Sequence, residues 1–158
     1  MTMGNGIIIT SEPKGTFVEG IIDGTPKPGT VMQLKAGVEP VGGRFTYQVY
    51  DVAADGVRKQ MLVLLPDLFQ GRLATDAYAS GERGFLYVPV AGEELNMLVA
   101  NISGTGDSFA IGATLMVDDG TGKLIATTGS PQSEPFQVIE TTAALTADTL
   151  VACVFTGY

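Results

Sequence analysis

The sequence predicts an all-β fold, a small barrel or sandwich with an extended N-terminal arm and little helix, and three observations predict it. Short apolar, β-branched runs recur and end in turn formers, as in Val31-Met32-Gln33-Leu34, Phe85-Leu86-Tyr87-Val88 and Leu150-Val151-Ala152-Cys153-Val154-Phe155. Phe45, Tyr47 and Val49 alternate with Thr46, Gln48 and Tyr50, the period of a half-buried strand. Turn chemistry is abundant, with 21 glycines and 8 prolines among 158 residues, and many short strands with frequent turns indicate a sandwich or barrel.

Taken in order, residues 1–20 read as an extended arm and 21–158 as a single β domain. Ile7-Ile8-Ile9 stands between Gly6 and Pro13, and three consecutive isoleucines expose both faces of a strand to burial. That fits a first strand of the domain or an arm that adds its backbone to a neighbour. Segment 16–22 continues the arm or begins the globular part. The candidate partner-binding residues are therefore Ile7, Ile8, Ile9, Phe17 and Val18. Segment 23–30 is dense in turn formers and stops any strand before it. Strands are then expected over 30–35, 44–52, 60–65, 84–90, 95–101, 109–117, 123–128, 135–141 and 148–156. Asp55-Gly56 and the Asp118–Gly122 stretch read as hairpin turns, since Asp-Gly reaches positive φ at low cost. Only 65–83 departs from the pattern, with a short helical turn over Pro66–Arg72 and a polar loop over Thr75–Glu82. No period of 20–50 residues repeats.

Composition excludes much chemistry. The chain has no histidine and one cysteine, so histidine-based nucleophilic catalysis and most zinc sites are ruled out. Cys153 lies in an apolar run and reads as a small buried hydrophobe. A formal net charge of −8 and a pI near 4.3 argue against a nucleic-acid partner, which needs clustered Lys and Arg. A mean hydropathy of +0.26 is high for a chain with 16% charged residues. Yet no apolar run approaches the roughly 20 residues of a membrane span, so no membrane partner is expected. The excess apolar content is assigned to a core and to contacts with other subunits. No basic n-region with a long apolar stretch follows Met1, and synthesis in a cytoplasm is the expectation.

The motifs that resemble chemical sites fail on inspection. Asp118-Asp119-Gly120-Thr121-Gly122-Lys123 has Val117 where a phosphate loop has its first glycine and Leu124 where it has Ser or Thr. Calcium at Asp118-Asp119 lacks the spaced acidic loop ending in Glu. Ser103–Ser108 is glycine-rich without the strand-turn-helix setting of a dinucleotide site. Glu93-Glu94 reads as a solvated loop edge. The protein is expected to be no enzyme and to carry no catalytic residue, cofactor or metal. A hydrolase working through pairs among Asp67, Asp107 and Glu140, and a carbohydrate-binding sandwich using Tyr47, Tyr50 or Tyr78, are the competing readings.

Three segments resemble the head decoration, or capsid cement, proteins of tailed bacteriophages. Lys27-Pro28-Gly29-Thr30-Val31-Met32-Gln33-Leu34 is similar to their Pro-Gly-Thr-hydrophobic opening, and Gly81-Glu82-Arg83-Gly84-Phe85 through Leu95 to their Gly-Glu…Pro-x-x-Gly-x-x-Leu core. Ala144–Phe155 resembles their terminal strand. The resemblance implies a small β-barrel or β-tulip-like protein that docks on the capsid exterior of the virion and bridges subunits of the major capsid protein. It further implies a homotrimer or dimer and an N-terminal arm lying along the shell. A tail or fibre structural module is the alternative within the same setting.

Overall fold

The computed structural model describes residues 6–51, 59–101, 107–126 and 135–157. Among them ten strands form two closed five-stranded barrels in succession. The first comprises β1 (Thr16–Ile22), β2 (Val31–Leu34), β3 (Thr46–Val49), β4 (Leu62–Leu65) and β5 (Arg83–Val88). The second comprises β6 (Glu94–Val99), β7 (Thr114–Val117), β8 (Leu124–Ala126), β9 (Phe136–Val138) and β10 (Thr149–Phe155). A 3-10 turn over Leu68–Gln70 is the only helical element among the described residues. The all-β barrel expectation holds. Each of the nine runs read as strands overlaps a strand.

The two barrels share one topology. In each, the first strand pairs parallel with the third and antiparallel with the fifth, the second pairs antiparallel with the third and fourth, and the fourth pairs with the fifth. The registers also agree. Ile22 opposite Tyr47 answers to Val99 opposite Leu124. Met32 opposite Leu62 answers to Leu115 opposite Phe136. Leu64 opposite Leu86, and Leu86 opposite Val18, answer to Val138 opposite Cys153 and Cys153 opposite Leu95. The five ladders thus superpose residue for residue, a duplication whose spacing is longer than the 20–50 residues of common sequence repeats.

Alternation explains the cores. Ile22, Met32, Tyr47, Leu62, Leu64 and Leu86 point into the first barrel and, with Tyr78, form its own cluster. Their register equivalents Val99, Leu115, Leu124, Phe136, Val138 and Cys153 belong to a larger cluster. That cluster also takes Val31, Val63, Leu65 and Tyr87 from the other side of the first barrel's strands. β4 is buried along its whole length for this reason: Leu62 and Leu64 face one core, Val63 and Leu65 the other.

Backbone hydrogen bonds join the barrels. Leu98 N–H donates to the Gly29 carbonyl (3.0 Å), and Val31 N–H donates to the Gly122 carbonyl (2.8 Å). Gly29 and Gly122 both have positive φ, and a Cβ on Gly122 would stand 2.3 Å from the Val31 carbonyl oxygen. Glycine is therefore required at this close approach.

Three expectations need correction. The division into an arm over 1–20 and one domain over 21–158 does not follow the elements, because β1 begins at Thr16 and is a stave of the first barrel, paired with β5 over six residues. Asp55-Gly56 lies outside the described residues, but the strands on either side of it are no hairpin pair, since β2 lies between β3 and β4. Glu93 is no solvated edge. It is 4% exposed and sits in the link between the barrels.

Candidate docking surface

Glu93 ties three parts of the chain together. Its Oε1 accepts from Tyr87 Oη (2.6 Å) and from the Lys14 and Gly15 N–H groups, and its Oε2 accepts from Val90 N–H (2.7 Å). Burial opposes the ionised form, but the hydrogen bonds from Tyr87, Val90, Lys14 and Gly15 outweigh it and hold the carboxyl below its ordinary range. Burial, with the Glu93 carboxylate beside it, pushes the Tyr87 phenol up. This junction fixes residues 14–15 against the end of the first barrel, and so sets where β1 starts.

From there β1 presents an outward face. Phe17 stands opposite Tyr87 on β5, and Glu19 opposite Phe85. The Phe17 and Tyr87 rings lie 5.0 Å apart between centroids, and Phe69 and Phe85 5.6 Å. Arg83 lies over the Phe85 ring at 5.7 Å and within 3.6 Å of the Glu19 carboxylate, which also pairs with Arg44. The 3-10 turn adds Leu68 and Phe69, and Leu73 follows. Phe69 is 86% exposed and Phe17 49%, and Leu68 and Leu73 are exposed too, so these side chains present an apolar patch to solvent over the half-buried Phe85 and the buried Tyr87. Such patches on a soluble chain mark interaction sites.

The loop that carries Phe69 is braced. The Asp67 carboxylate caps the turn, accepting from Phe69 N–H (3.1 Å) and Gln70 N–H (3.3 Å). Arg72 pairs with Glu82 (2.6 Å) and lies over the Tyr78 ring. The buried Tyr78 donates its hydroxyl to the Leu65 carbonyl (2.7 Å), and burial pushes its pKa up to about 12. Exposed Leu34, Val38, Val41 and Phe45 lie on and around the β2–β3 hairpin as a second apolar group.

The five residues named from sequence are not one surface. Ile7 and Ile8 are buried in the shared core, with Ile8 bridged to Leu95, and Ile9 N–H donates to the Glu94 carbonyl. Val18 packs on the interior cluster of the first barrel. Phe17 alone reaches the outer patch, and Leu68, Phe69, Leu73 and Phe85 were missed. Their signal was an apolar Leu-Phe pair set in the otherwise polar 65–83 loop.

The other motifs take structural roles. Asp118–Lys123 is the hairpin turn between β7 and β8, closed by Asp118 N–H to the Lys123 carbonyl (2.8 Å). Thr121 Oγ1 donates to Asp118 Oδ2 (2.6 Å) there. Ser103–Gly106 lies outside the described residues. Tyr47, Tyr50 and Tyr78 are all buried, so none offers a ring for sugar stacking. Among the described residues no three His, Cys, Asp or Glu side chains are placed to share a metal ion.

No family model matches this chain, and no curated protein matches it by sequence. Among solved structures, the N base of head fiber gp8.5 in bacteriophage phi29 is similar, with a TM-score of 0.54 at 10% identity, covering 90% of this chain and 94% of that one. At that identity the likeness establishes a shared fold.

Proposed function

We propose that this chain is a non-enzymatic structural protein of a bacteriophage head, held on the outer capsid surface, where it stabilises contacts between major capsid protein subunits. The observation that carries the reading is the fold it shares, over nearly its whole length, with the base of a phage head fiber. The exposed Phe17–Phe69 patch supports it, because a cement protein needs apolar surface beyond its own core. Many modest contacts then sum when several copies engage one shell. The acidic charge fits a free surface that keeps particles apart. Copies act together as a homotrimer or a dimer in this reading.

A second reading is favoured by the same neighbour being the base of a fiber: the chain is a fibre or tail module. Cryo-electron microscopy of the source particle separates the two. Density for the double barrel spread over capsomer contacts of the head supports the cement role. Density confined beneath a projecting fibre supports the base role, and density at neither place removes both.

A further inference from the structure

Because the barrels share one register, an edge covered in the second can be compared with the same edge in the first. In β6, Glu94, Asn96 and Leu98 turn their backbone groups away from β10, and those groups are taken. The Glu94 carbonyl accepts from Ile9 N–H (2.9 Å), Asn96 N–H donates to the Ile7 carbonyl (2.7 Å), and Leu98 N–H to the Gly29 carbonyl (3.0 Å). Glu94 N–H donates to Thr10 Oγ1 (2.7 Å). Gly6–Thr10 therefore lies on β6 as an added extended segment.

The equivalents in β1 are Phe17, Glu19 and Ile21. Ile22 N–H donates to the Glu82 carbonyl on the β5 side, whereas Ile21 N–H donates to the Phe45 carbonyl on the opposite side (2.9 Å). By alternation Phe17 and Glu19 face the same way as Ile21. Among the described residues their backbone groups have no partner there. β3 pairs with β1 only at Ile21 and Ile22, so the edge ahead of it is open. The exposed Phe17 ring stands beside it. Glu19 is already neutralised by Arg44 and Arg83, so the charge that ordinarily guards an edge strand is weakened.

We propose that the open edge of β1 over Phe17–Glu19 accepts an extended segment of a partner protein, rich in β-branched residues, paired as an added strand in the way Gly6–Thr10 pairs with β6. The occupant is argued from the covered copy of the edge: a run of isoleucines flanked by Gly and Thr fits it, and two of them are buried there. The added backbone satisfies the free groups of Phe17 and Glu19, and its outward side chain covers the Phe17 ring. The inference is independent of which particle the chain belongs to.

The probe is a capped, labelled peptide of sequence Gly-Ile-Ile-Ile-Thr-Ser-Glu, titrated into the full chain. On the backbone, Glu19→Pro removes only an N–H that faces the open edge and leaves the β5 ladder its donors, while Glu19→Ala loses the same ion pairs with Arg44 and Arg83 but keeps that N–H. Saturable binding is expected, unchanged within about twofold in Glu19→Ala and weakened at least tenfold in Glu19→Pro. In the wild-type chain, hydrogen exchange at the Phe17 and Glu19 amides should slow on peptide addition, a readout that needs no variant to fold. Absence of saturable binding, or equal binding by Glu19→Pro with both amides unprotected, overturns the proposal. So does self-association of the free chain that protects these amides and is lost in Glu19→Pro, which would make a second copy the occupant.

Discussion

In the first barrel the inward positions on β1 and β5 include Gly20 and Gly84, and a Cβ on either would meet a neighbouring side chain at 2.4 Å, the Tyr47 ring for Gly20 and Ile22 for Gly84. In the second barrel the register equivalents are Met97 and Val151, and Leu124 stands where the first has Tyr47. At these places one backbone cage is filled in two ways, by Tyr47 and Ile22 over glycines in the first barrel and by Met97, Val151 and Leu124 in the second. The outer faces differ as well. Val31, Val63 and Tyr87 are buried in the shared core, whereas their equivalents Thr114, Gln137 and Val154 are exposed or half-buried. The difference teaches that ladder register, not side-chain identity, is what the two halves hold in common.

The largest expected effect tests whether the halves are one cooperative unit. Phe136→Ala empties the centre of the second barrel, whose core runs on into the outer face of the first. It should cost about 4 kcal/mol, seen in urea denaturation as one shifted transition by every probe. Two separated transitions would break the picture of a shared core.

The next prediction sharpens the packing contrast. Gly20→Ala should cost about 2 kcal/mol by overpacking against Tyr47. Adding Tyr47→Leu, the residue type of the second barrel, should make the pair strongly non-additive, with most of the Gly20→Ala cost removed. An additive double-mutant cycle would show that the ring is not what excludes the Cβ.

A third prediction concerns the junction. The Glu93 carboxyl titrates lower in the folded chain than the ordinary glutamate value of 4.5. It therefore contributes stability that is fully present above that value and is lost as pH falls through the depressed folded pKa. Glu93→Gln should lower stability at pH 7 by about 2 kcal/mol and flatten the acid limb of a stability–pH profile. An unchanged limb would place the acid sensitivity elsewhere. Smallest of all, Phe69→Ser should shift thermal stability by under about 0.5 kcal/mol, since the ring is almost fully exposed, while weakening any docking through the patch.

Strand positions were legible because alternation in Phe45–Tyr50 and turn formers such as Asp118–Gly122 act over a few residues. The duplication was not, because equivalent positions such as Gly20 and Met97, or Tyr47 and Leu124, share a place in a ladder and no side-chain chemistry. Glu93 was misread for a related reason. Two adjacent glutamates look solvated, and its donors at Lys14 and Gly15 are 79 and 78 residues away in the chain. Of the docking surface, Phe17 was visible as an apolar residue near the start. Phe69 and Phe85 join it only through the β1–β5 register and the capped 3-10 turn.

Cys153 gives the second barrel an intrinsic clock. It is the chain's sole thiol, faces Leu95 and Val138 across the ladders, and burial pushes its pKa up to about 12. An alkylating reagent can reach a reactive thiolate only while those ladders are parted. The rate of labelling of the unaltered protein therefore counts the openings of that barrel, and a partner that clamps the barrel shut should slow the clock in proportion.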